Sequence, residues 1–547
     1  MHLSKPALLI GRLTGWRRAL AAFIAGALSV LALAPFFLWP ICFVTLPLLV
    51  WLIDGAAALP ARAARLRAAA LTGWFFSFGY LLAGLYWIGF SFLVEADKFA
   101  WLLPFAVTLL PAGLALYFAV ACAAAAALWR PGVARLLTLA VLLTLAEYAR
   151  GHLFTGLPWN LVGYWVTAGD AMMQWAALFG VYVLALFAIH IFSVPALFFC
   201  APHWQEIRAP VRILYVAAAG LMLGAASLYG HARLSAPPTH DVAGVRLRIV
   251  QPNIPQTEKW LPQNRAAVFR RYLEVSRSGA DGTAPDLSTV THLVWPESAL
   301  PFLLQDTNEA LAAIAELLPE GTVLLNGQAR AEDRVRPDNT LAGLRVWNSL
   351  FVMDSAGRIL SIYDKLHLVP FGEYLPFQRW LEAIGLRQLT RVRGGFESGM
   401  GRRYLEAPGV PPFVPLICYE VIFPGDVVAP RTRPQWMLNV TNDAWFGRST
   451  GPYQHLHQTR LRAVEQGLPV IRAANTGVSA VIDAHGRVLS SLGLGRAGII
   501  DTHLPGAAPS TLYAQLGNVI LVAALFVYGL LAAVAYFFSP PRTTPGS

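Results

Sequence analysis

The sequence predicts a multi-pass α-helical membrane domain of about eight spans joined to a layered α/β domain. The first observation is composition, because the 547 residues are 56% hydrophobic and only 13% charged, against roughly 25% charged in an ordinary soluble domain. The second is distribution, since the long apolar runs lie before residue 231 and after residue 516. The third is that the residues between them alternate short apolar runs with amphipathic segments, as strands and helices of a layered domain do.

Most of the apolar runs are long enough to cross a hydrocarbon layer of about 30 Å as helices. Their approximate cores are 18–35, 40–54, 70–92, 101–129, 134–149, 172–200, 211–229 and 518–538. The first run has the basic start and A-x-A-like end of a signal peptide, but Pro35 follows directly and disfavours cleavage. We therefore expect a retained span, a membrane domain over 1–230 with about seven helices, an outer domain over 231–512, and a C-terminal helix and tail over 513–547.

The net charge of +11 is distributed unevenly along the chain. Residues 231–512 carry 28 Lys and Arg against 25 Asp and Glu, whereas the rest carries 14 against 6. If the N-terminus lies inside, twelve of those 14 basic residues are cytoplasmic, and only Lys98 and Arg150 lie outside, which is the asymmetry of membrane proteins. The basic charge therefore indicates topology rather than nucleic-acid binding, and it predicts two cytoplasmic termini with the outer domain on the far side.

The outer domain shows the periodicities of a layered α/β fold. We predict strands at 245–251, 293–295, 323–325, 350–353 and 437–440, and amphipathic helices at 264–277 and 306–318. Two segments have the pattern of hairpins, each with a glycine to supply the positive φ of its turn. They pair 346–353 with 358–363, and 478–482 with 487–491.

Three side chains of complementary chemistry each end or follow one of these runs. Glu297 follows the 293–295 run, Lys365 follows 358–363, and Cys418 ends an apolar run of its own. A carboxylate accepts a proton from a thiol, and an ammonium stabilises the developing negative charge, so together they would make an activated nucleophile. The alternative is that Cys418, the one cysteine of the outer domain, only fills space in the core.

Two further segments have more than one interpretation. Residues 374–413 are rich in Gly, Pro, Arg and bulky apolar residues, so they either cover the core or form a lid or membrane-dipping arm. In the predicted outer loop at 150–171, Trp159, Tyr164 and Trp165 form either an interfacial aromatic belt or the floor or gate of a pocket.

The residues around the Glu-Lys-Cys trio resemble the nitrilase superfamily, whose members carry such a triad on an α-β-β-α sandwich. The matching segments are Trp295-Pro-Glu-Ser298, Tyr363-Asp-Lys-Leu-His367 and Ile417-Cys-Tyr-Glu420. Together with the spans, about residues 15–540 resemble the apolipoprotein N-acyltransferase family of bacterial inner-membrane enzymes. Its further motifs are Gln251-Pro-Asn-Ile-Pro-Gln256 with Trp260, Pro370-Phe-Gly-Glu-Tyr-Leu-Pro376 and Thr441-Asn-Asp-Ala-Trp-Phe-Gly447.

The resemblance implies a nitrilase-like catalytic domain with Glu297, Lys365 and Cys418 as the catalytic residues. It implies ping-pong transfer of a fatty acyl chain from a phospholipid, typically phosphatidylethanolamine, through a thioester on Cys418. The acceptor is the α-amine of the N-terminal diacylglyceryl-cysteine of an apolipoprotein. Supporting active-site roles are implied for Glu373, Tyr419 and Glu420, and pocket or lid roles for Trp260, Asn442, Trp445 and Phe446. The alternative for Glu373 and Glu420 is a carboxylate that only hydrogen-bonds to nearby backbone or arginine groups. The alternative for Trp260, Tyr419 and Trp445 is ordinary core packing.

The same resemblance implies a monomer in the bacterial inner membrane, with a periplasmic catalytic domain and no cofactor. The bilayer, the phospholipid donor and the apolipoprotein acceptor are the expected partners, and nucleic acid is not. We expect no metal either, because no Cys pair or Cys/His cluster has ligand spacing. His455 and His457 would share one face of a strand, but no further ligand lies near them in the sequence.

Two competing functions remain. A membrane-tethered amidase or nitrilase would use the same trio to hydrolyse a C–N bond, but the apolar 374–400 stretch disfavours a small polar pocket. A transporter or scaffold with an inactive outer domain would make Cys418 dispensable. The spans show Glu147 near an outer end and no evident ion-pair relay, so the sequence gives transport little support.

Overall fold

The computed structural model describes residues 5–198, 209–237, 239–279, 281–335, 341–383, 385, 388–390, 392, 395–428 and 433–539. The chain forms two compact units. The membrane unit comprises Met1–Tyr86, Pro104–Pro237 and Ser510–Ser547, and the sheet unit comprises Trp87–Leu103 and Pro238–Pro509. The segment Trp87–Leu103, which the sequence analysis assigned to the membrane domain, therefore packs with the sheet unit. Cys200, the end of the 172–200 run and the tail after 539 lie outside the described residues.

Eight helical segments of the described chain are long and apolar enough to cross a membrane, which confirms the predicted number of about eight. They are Gly15–Ala32, Trp39–Ala57, Arg62–Leu93, Ala96–Ala127, Ala134–Thr155, Ala176–Leu197, Ala209–Leu234 and Val519–Phe538.

The α-helices of the two units have the following bounds. In chain order they are α1 Lys5–Gly11, α2 Gly15–Ser29, α3 Cys42–Ala57, α4 Arg62–Leu85, α5 Ala96–Phe99, α6 Leu103–Leu114, α7 Leu116–Ala127, α8 Ala134–His152, α9 Asp170–Met173, α10 Ala176–Ser193, α11 Ala209–Leu234, α12 Gln256–Lys259, α13 Arg265–Ser278, α14 Asn308–Leu317, α15 Gln378–Ala383, α16 Gly451–Gln466, α17 Leu512–Leu516 and α18 Val519–Phe538.

The membrane unit contains buried ion pairs. Arg135 on α8 donates to Asp54 on α3 at 2.6 Å, and Arg150 donates to Glu147 at 3.0 Å. All four side chains are at most 2% exposed. Each arginine also donates to backbone carbonyls, of Ala196 and of the loop after α8 respectively. Pairs tied to the backbone in this way fix helices and loops in place rather than form a relay.

The aromatic residues of the 150–171 loop lie inside the membrane unit. Trp159, Tyr164 and Trp165 are each at most 2% exposed. Trp165 donates from Nε1 to the hydroxyl of Tyr80 on α4 at 3.1 Å. An interfacial belt would face lipid and headgroups, so the belt interpretation is wrong for these three residues.

In the described part of the sheet unit, twelve strands form two six-stranded sheets. They are β1 Arg246–Gln251, β2 His292–Trp295, β3 Val323–Val335, β4 Leu341–Met353, β5 Ile359–Asp364, β6 Leu405–Ala407, β7 Val410–Ile417, β8 Trp436–Thr441, β9 Val470–Ala474, β10 Ser479–Ile482, β11 Val488–Leu492 and β12 Gly498–His503. The orders are β12-β1-β2-β3-β4-β5 and β11-β10-β9-β8-β7-β6. Both predicted hairpins are present, since β4 pairs antiparallel with β5 and β10 with β11.

The two sheets pack face to face, with helices on the outside. One buried cluster contains residues of both sheets, such as Ile249, Val294, Val440 and Ile471. A second cluster joins the other face of the first sheet to helices α13 and α14, through residues such as Tyr272. Helix α16 contacts β9 of the second sheet. The layers are therefore helix, sheet, sheet and helix, as the fold class predicted.

Three strands and several helices of the sheet unit were not predicted from the sequence. The strands are β6, β9 and β12, and the longest of the helices is the 16-residue α16. His455 and His457, whose spacing would put them on one face of a strand, lie on α16 instead. This helix has Pro452 in its first turn and is followed by Gly467 in the left-handed conformation. Proline at the start and glycine just past the end are the sequence signs of a helix. β6 lies within the 374–413 segment, so part of that segment completes a sheet.

Candidate active site

Strand direction brings Glu297, Lys365 and Cys418 to strand ends. β2 and β3 run parallel, β4 runs against β3, and β5 runs against β4, so β2 and β5 end at the same edge of the first sheet. Glu297 follows β2 by two residues, and Lys365 follows β5 directly. Cys418 directly follows β7, which is parallel to β8 in the second sheet. The short connections leave little freedom for these side chains.

The three side chains meet in one buried cluster. The Nζ of Lys365 lies 3.5 Å from Oε1 of Glu297 and 2.9 Å from the carboxylate of Glu373. Asn348 on β4 donates from Nδ2 to both carboxylates, at 2.7 Å to Glu297 and 2.9 Å to Glu373. The side chain of Cys418 is in hydrogen-bonding contact with Glu297. The cluster therefore joins one thiol, one ammonium and two carboxylates.

Burial and mutual charge decide the protonation of this cluster. Burial raises the pKa of the Cys418 thiol, and the charge of Glu297 raises it further, against the opposing effect of Lys365. Burial alone would lower the pKa of Lys365, but Glu373 and Glu297 outweigh it, so the net effect is a raised pKa and a charged ammonium. The pKa of Glu297 is raised by burial, an effect that Lys365 opposes and Glu373 reinforces. A carboxylate with a raised pKa is a stronger base toward the thiol.

Cys418 adopts an unusual backbone conformation. Its φ is +50°, in the left-handed region that residues with a Cβ seldom occupy. The residue begins a 3₁₀ turn, Cys418–Ile422, and is 8% exposed. Positive φ in a residue at a strand end redirects the chain sharply, and such outliers cluster at functional sites.

Glu420 lies two residues after Cys418 and binds the surrounding backbone. Its carboxylate accepts from the Tyr363 hydroxyl at 2.7 Å, from the backbone N–H of Ile417 at 2.7 Å, and from the backbone N–H of Leu366 at 3.0 Å. Arg402 pairs with it at 3.3 Å. These contacts tie the chain before Cys418 to the chain after Lys365, so Glu420 is fully engaged with protein groups.

The remaining predicted residues lie around the strand ends that carry the cluster. Tyr419 packs its ring against His367 and Phe423. Asn442, directly after β8, accepts from Asn475 and donates to Gln256 of α12 at 2.8 Å. Trp260 follows α12 directly and is partly exposed.

The turn after Asn442 contacts the Trp87–Leu103 segment of the sheet unit. Phe446 packs against Trp87 with ring centroids 4.4 Å apart. Ser91 donates to the backbone carbonyl of Trp445 at 2.9 Å. Trp445 and Phe446 are both partly exposed.

The 374–413 segment shows features of both of its interpretations. Leu375 is buried and β6 belongs to the second sheet. Phe377 and Trp380, at the start of α15, are 82% and 79% exposed. Leu386 and the arginine at 391 lie outside the described residues. Large aromatic side chains exposed in this way are typical of a surface that meets lipid or a partner.

Two polar residues of the site were not predicted from the sequence. Asn348 was only part of a predicted strand, and Lys259 was not considered. Lys259 is completely buried, its Nζ has no hydrogen-bond partner among the described residues, and burial lowers its pKa to about 7 against the opposing charge of Glu297. The signal for Lys259 is its place directly before Trp260 in the motif. By composition alone, the polar run around it is typical of a solvated surface.

No group of three or more His, Cys, Asp and Glu side chains in the described part of the chain has the arrangement of a metal site. His455 instead contacts Asp443 at 2.9 Å and the backbone carbonyl of Cys418 at 3.2 Å. His455 and His457, for which no metal-binding role is expected from the sequence, are both buried in the interior of the sheet unit.

Family comparisons match both parts of this architecture. The carbon-nitrogen hydrolase model matches residues 246–508. The model of the apolipoprotein N-acyltransferase N-terminal domain matches residues 25–194. The fold and the site thus define a nitrilase-type domain carried by a helical membrane domain.

Relatives that match nearly the whole chain show which family within this class the chain belongs to. The chain is 49% identical over 530 residues to the apolipoprotein N-acyltransferase of Rhodopseudomonas palustris, with 96% of each chain covered. It is 49% identical to that of Bradyrhizobium diazoefficiens, with 97% of each chain covered. It is 44% identical to that of Brucella suis, with 90% of this chain and 91% of the relative covered. The chain belongs to the apolipoprotein N-acyltransferase family.

Proposed function

We propose that this chain transfers a fatty acyl chain from a membrane phospholipid to the N-terminal amine of a diacylglyceryl apolipoprotein. The observation that carries the proposal is the buried contact between the Cys418 thiol and Glu297 beside the Lys365 ammonium. Family membership supports the reaction class. The eight apolar helices support lipid substrates, because pulling an acyl chain into water would cost about 0.8 kcal/mol per CH₂.

In the first half-reaction Cys418 is the nucleophile. Glu297 takes the proton from Sγ as Sγ attacks the ester carbonyl of the phospholipid, and the C–S bond forms. Lys365 stabilises the negative charge on the carbonyl oxygen of the tetrahedral intermediate. Collapse breaks the ester C–O bond, and Glu297 returns its proton to the leaving alkoxide. The products are a lysophospholipid and an acyl thioester on Cys418.

In the second half-reaction the α-amine of the lipoprotein's first cysteine attacks the thioester carbonyl. Glu297 accepts a proton from the amine as the C–N bond forms. The C–S bond then breaks, and the sulfur regains a proton from Glu297. The resting thiol suits this cycle, because the raised pKa of Cys418 favours the protonated form between turnovers.

The surrounding residues have supporting roles in this scheme. Glu373 holds the Lys365 ammonium in place at 2.9 Å, and Glu420 fixes the backbone on both sides of the site. The acyl chain or the lid would contact the side chains that surround the strand ends, namely Tyr419, Trp260, Asn442, Trp445 and Phe446.

The proposal extends to location and partners. We place the enzyme in the bacterial inner membrane as a monomer, with the sheet unit periplasmic and both termini cytoplasmic, because the charge asymmetry of the spans favours this orientation. Phosphatidylethanolamine is the proposed donor. The scheme needs no cofactor or metal, since every proton transfer is assigned to a side chain of the cluster.

The test is intact-mass analysis of the purified protein after incubation with phosphatidylethanolamine. Wild type should gain one acyl mass that hydroxylamine removes, and Cys418→Ala should gain none. Cys122→Ala is the matched control, because Cys122 is also a buried cysteine but lies on α7 of the membrane unit. A wild type that leaves the lipid intact would refute the donor. Release of free fatty acid without transfer to a diacylglyceryl peptide would favour the hydrolase alternative.

A further inference from the structure

A cluster of completely buried polar side chains lies behind Cys418, and the mechanism above does not use it. Asp443 follows β8, His455 lies on α16, and Arg472 lies on β9. All three are 0% exposed. Arg472 donates from Nη2 to Oδ2 of Asp443 at 2.7 Å. Burial raises the pKa of Asp443, but Arg472 and His455 outweigh this and lower it to about 2, so this carboxylate is charged.

The cluster reaches Cys418 at two points. The Nε2 of His455 lies 3.2 Å from the backbone carbonyl oxygen of Cys418. Thr441, the last residue of β8, donates to Oδ1 of Asp443 at 3.0 Å and is also in hydrogen-bonding contact with the Cys418 side chain. The backbone and the side chain of the proposed nucleophile are therefore both tied to Asp443.

The hydrogen bond to the carbonyl needs a proton on Nε2 of His455, because a carbonyl oxygen only accepts. Two forms of the ring provide it. In the neutral form, Nδ1 accepts from Nη2 of Arg472 at 3.1 Å. In the charged form, Nδ1 donates to Oδ1 of Asp443 at 2.9 Å. In the neutral form Arg472 supports the proton on Nε2, and Oδ1 of Asp443, which only accepts, opposes it; in the charged form Asp443 supports it and Arg472 opposes it.

We propose that His455 is a positioning residue, which holds the carbonyl of Cys418 and keeps the nucleophile in its left-handed conformation. At φ +50°, Cys418 lies in a backbone region that is unfavourable for a residue with a Cβ, so contacts with other residues must stabilise this conformation. Without the bond to His455, the peptide plane after Cys418 would rotate and move Sγ away from Glu297. Small displacements of a nucleophile of this kind lower rates strongly. The inference rests on the proposed function, since it takes Cys418 as the nucleophile.

The experiment compares four proteins in single-turnover acylation by phosphatidylethanolamine: wild type, His455→Gln, His455→Leu and His457→Leu. Gln retains an N–H donor for the Cys418 carbonyl, and Leu does not. His457 is the matched control, because it is nearly as buried on the same helix but points to a roughly opposite face. Thermal unfolding of each variant separates loss of fold from loss of position.

We expect His455→Leu to acylate at least tenfold more slowly at saturating lipid, with little change in KM, and His455→Gln to recover most of the rate. His457→Leu should stay within twofold of wild type. A folded His455→Gln as slow as His455→Leu, or a His455→Leu within twofold of wild type, would overturn the inference while leaving the proposed function intact. If His455→Leu does not fold, the acylation rate of His455→Gln alone tests the inference: a rate near that of wild type supports it, and a rate at least tenfold lower overturns it. A wild type that forms no thioester overturns both.

Discussion

Substitution of Glu373 by glutamine should move the acid limb of the acylation rate to lower pH. In the proposed mechanism Glu297 must be a carboxylate to accept the thiol proton, so the rate should fall as Glu297 becomes protonated. The negative charge of Glu373 raises the pKa of Glu297. Lys365 lowers that pKa, as do hydrogen bonds from Asn348 and Cys418, and all three remain in the variant. Removing the charge of Glu373 therefore leaves Glu297 ionised at lower pH.

The distance between the two carboxylates sets the expected size of this shift in the acid limb. Both Oε1 atoms accept from Nδ2 of Asn348, at 2.7 and 2.9 Å, so they lie at most about 5.6 Å apart. At this separation two unit charges repel by about 3 kcal/mol at an effective dielectric of about 20, and by about 0.7 kcal/mol in bulk water. Since one pKa unit corresponds to about 1.4 kcal/mol, the limb should move down by about 0.5–2 pH units.

The assay is the single-turnover rate of Cys418 acylation between about pH 4.5 and 8, measured by intact mass. Glu382→Gln is the control, because Glu382 is a glutamate on α15 whose contact with Gln378 is exposed. The plateau rate of Glu373→Gln should also fall, since Lys365 loses the charge of its 2.9 Å partner. An acid limb that stays in place, or moves to higher pH, would refute the reasoning about Glu297.

Two further substitutions test the surroundings of the base. Lys259→Met should stabilise the fold near pH 7 by at most about 5 kcal/mol, because the pKa of Lys259 is lowered to about 7 from an ordinary 10.5. Between those values the unfolded wild type binds more protons than the folded one, so wild-type stability rises with pH and the advantage of the variant should shrink. Thermal unfolding at pH 7 and pH 9 checks this, and an advantage that does not change with pH would contradict it. Gly327→Ala should slow acylation at least tenfold, because its Cβ would lie 2.5 Å from the Pro296 carbonyl oxygen and 2.6 Å from Cα of Glu297. Gly493→Ala, whose Cβ would meet nothing within 4 Å, should not slow it, and equal rates for the two variants would contradict the role given to Glu297.

The trio of Glu297, Lys365 and Cys418 could be predicted because each residue ends or follows a run with a strand periodicity. Position after a strand is a local property, and strands that run the same way bring their ends to one edge of a sheet. The membrane helices could be predicted for a similar reason, since length and hydropathy decide whether a helix can span a bilayer. Helix α16 was missed although Pro452 and Gly467 mark its ends, because the two histidines within it were considered only as possible metal ligands.

The burial of polar residues could not be predicted from the sequence. Lys259 lies in a polar run, yet tertiary packing leaves its ammonium without exposure. The Asp54–Arg135 pair joins residues 81 positions apart, so neither side chain indicates its partner. His455 and Cys418 are 37 positions apart and meet only because α16 packs behind the second sheet.

The sequence by itself determined which segments are apolar enough for a membrane, where the strands of the outer domain end, and which reactive side chains stand at those ends. These are properties of neighbouring residues, and they need no knowledge of the rest of the chain. Only the tertiary structure decided which groups share a buried space, and therefore which pKa values are raised or lowered. Desolvation and charge interactions act through space, so the chemistry of Cys418 depends on residues that are remote from it in the sequence.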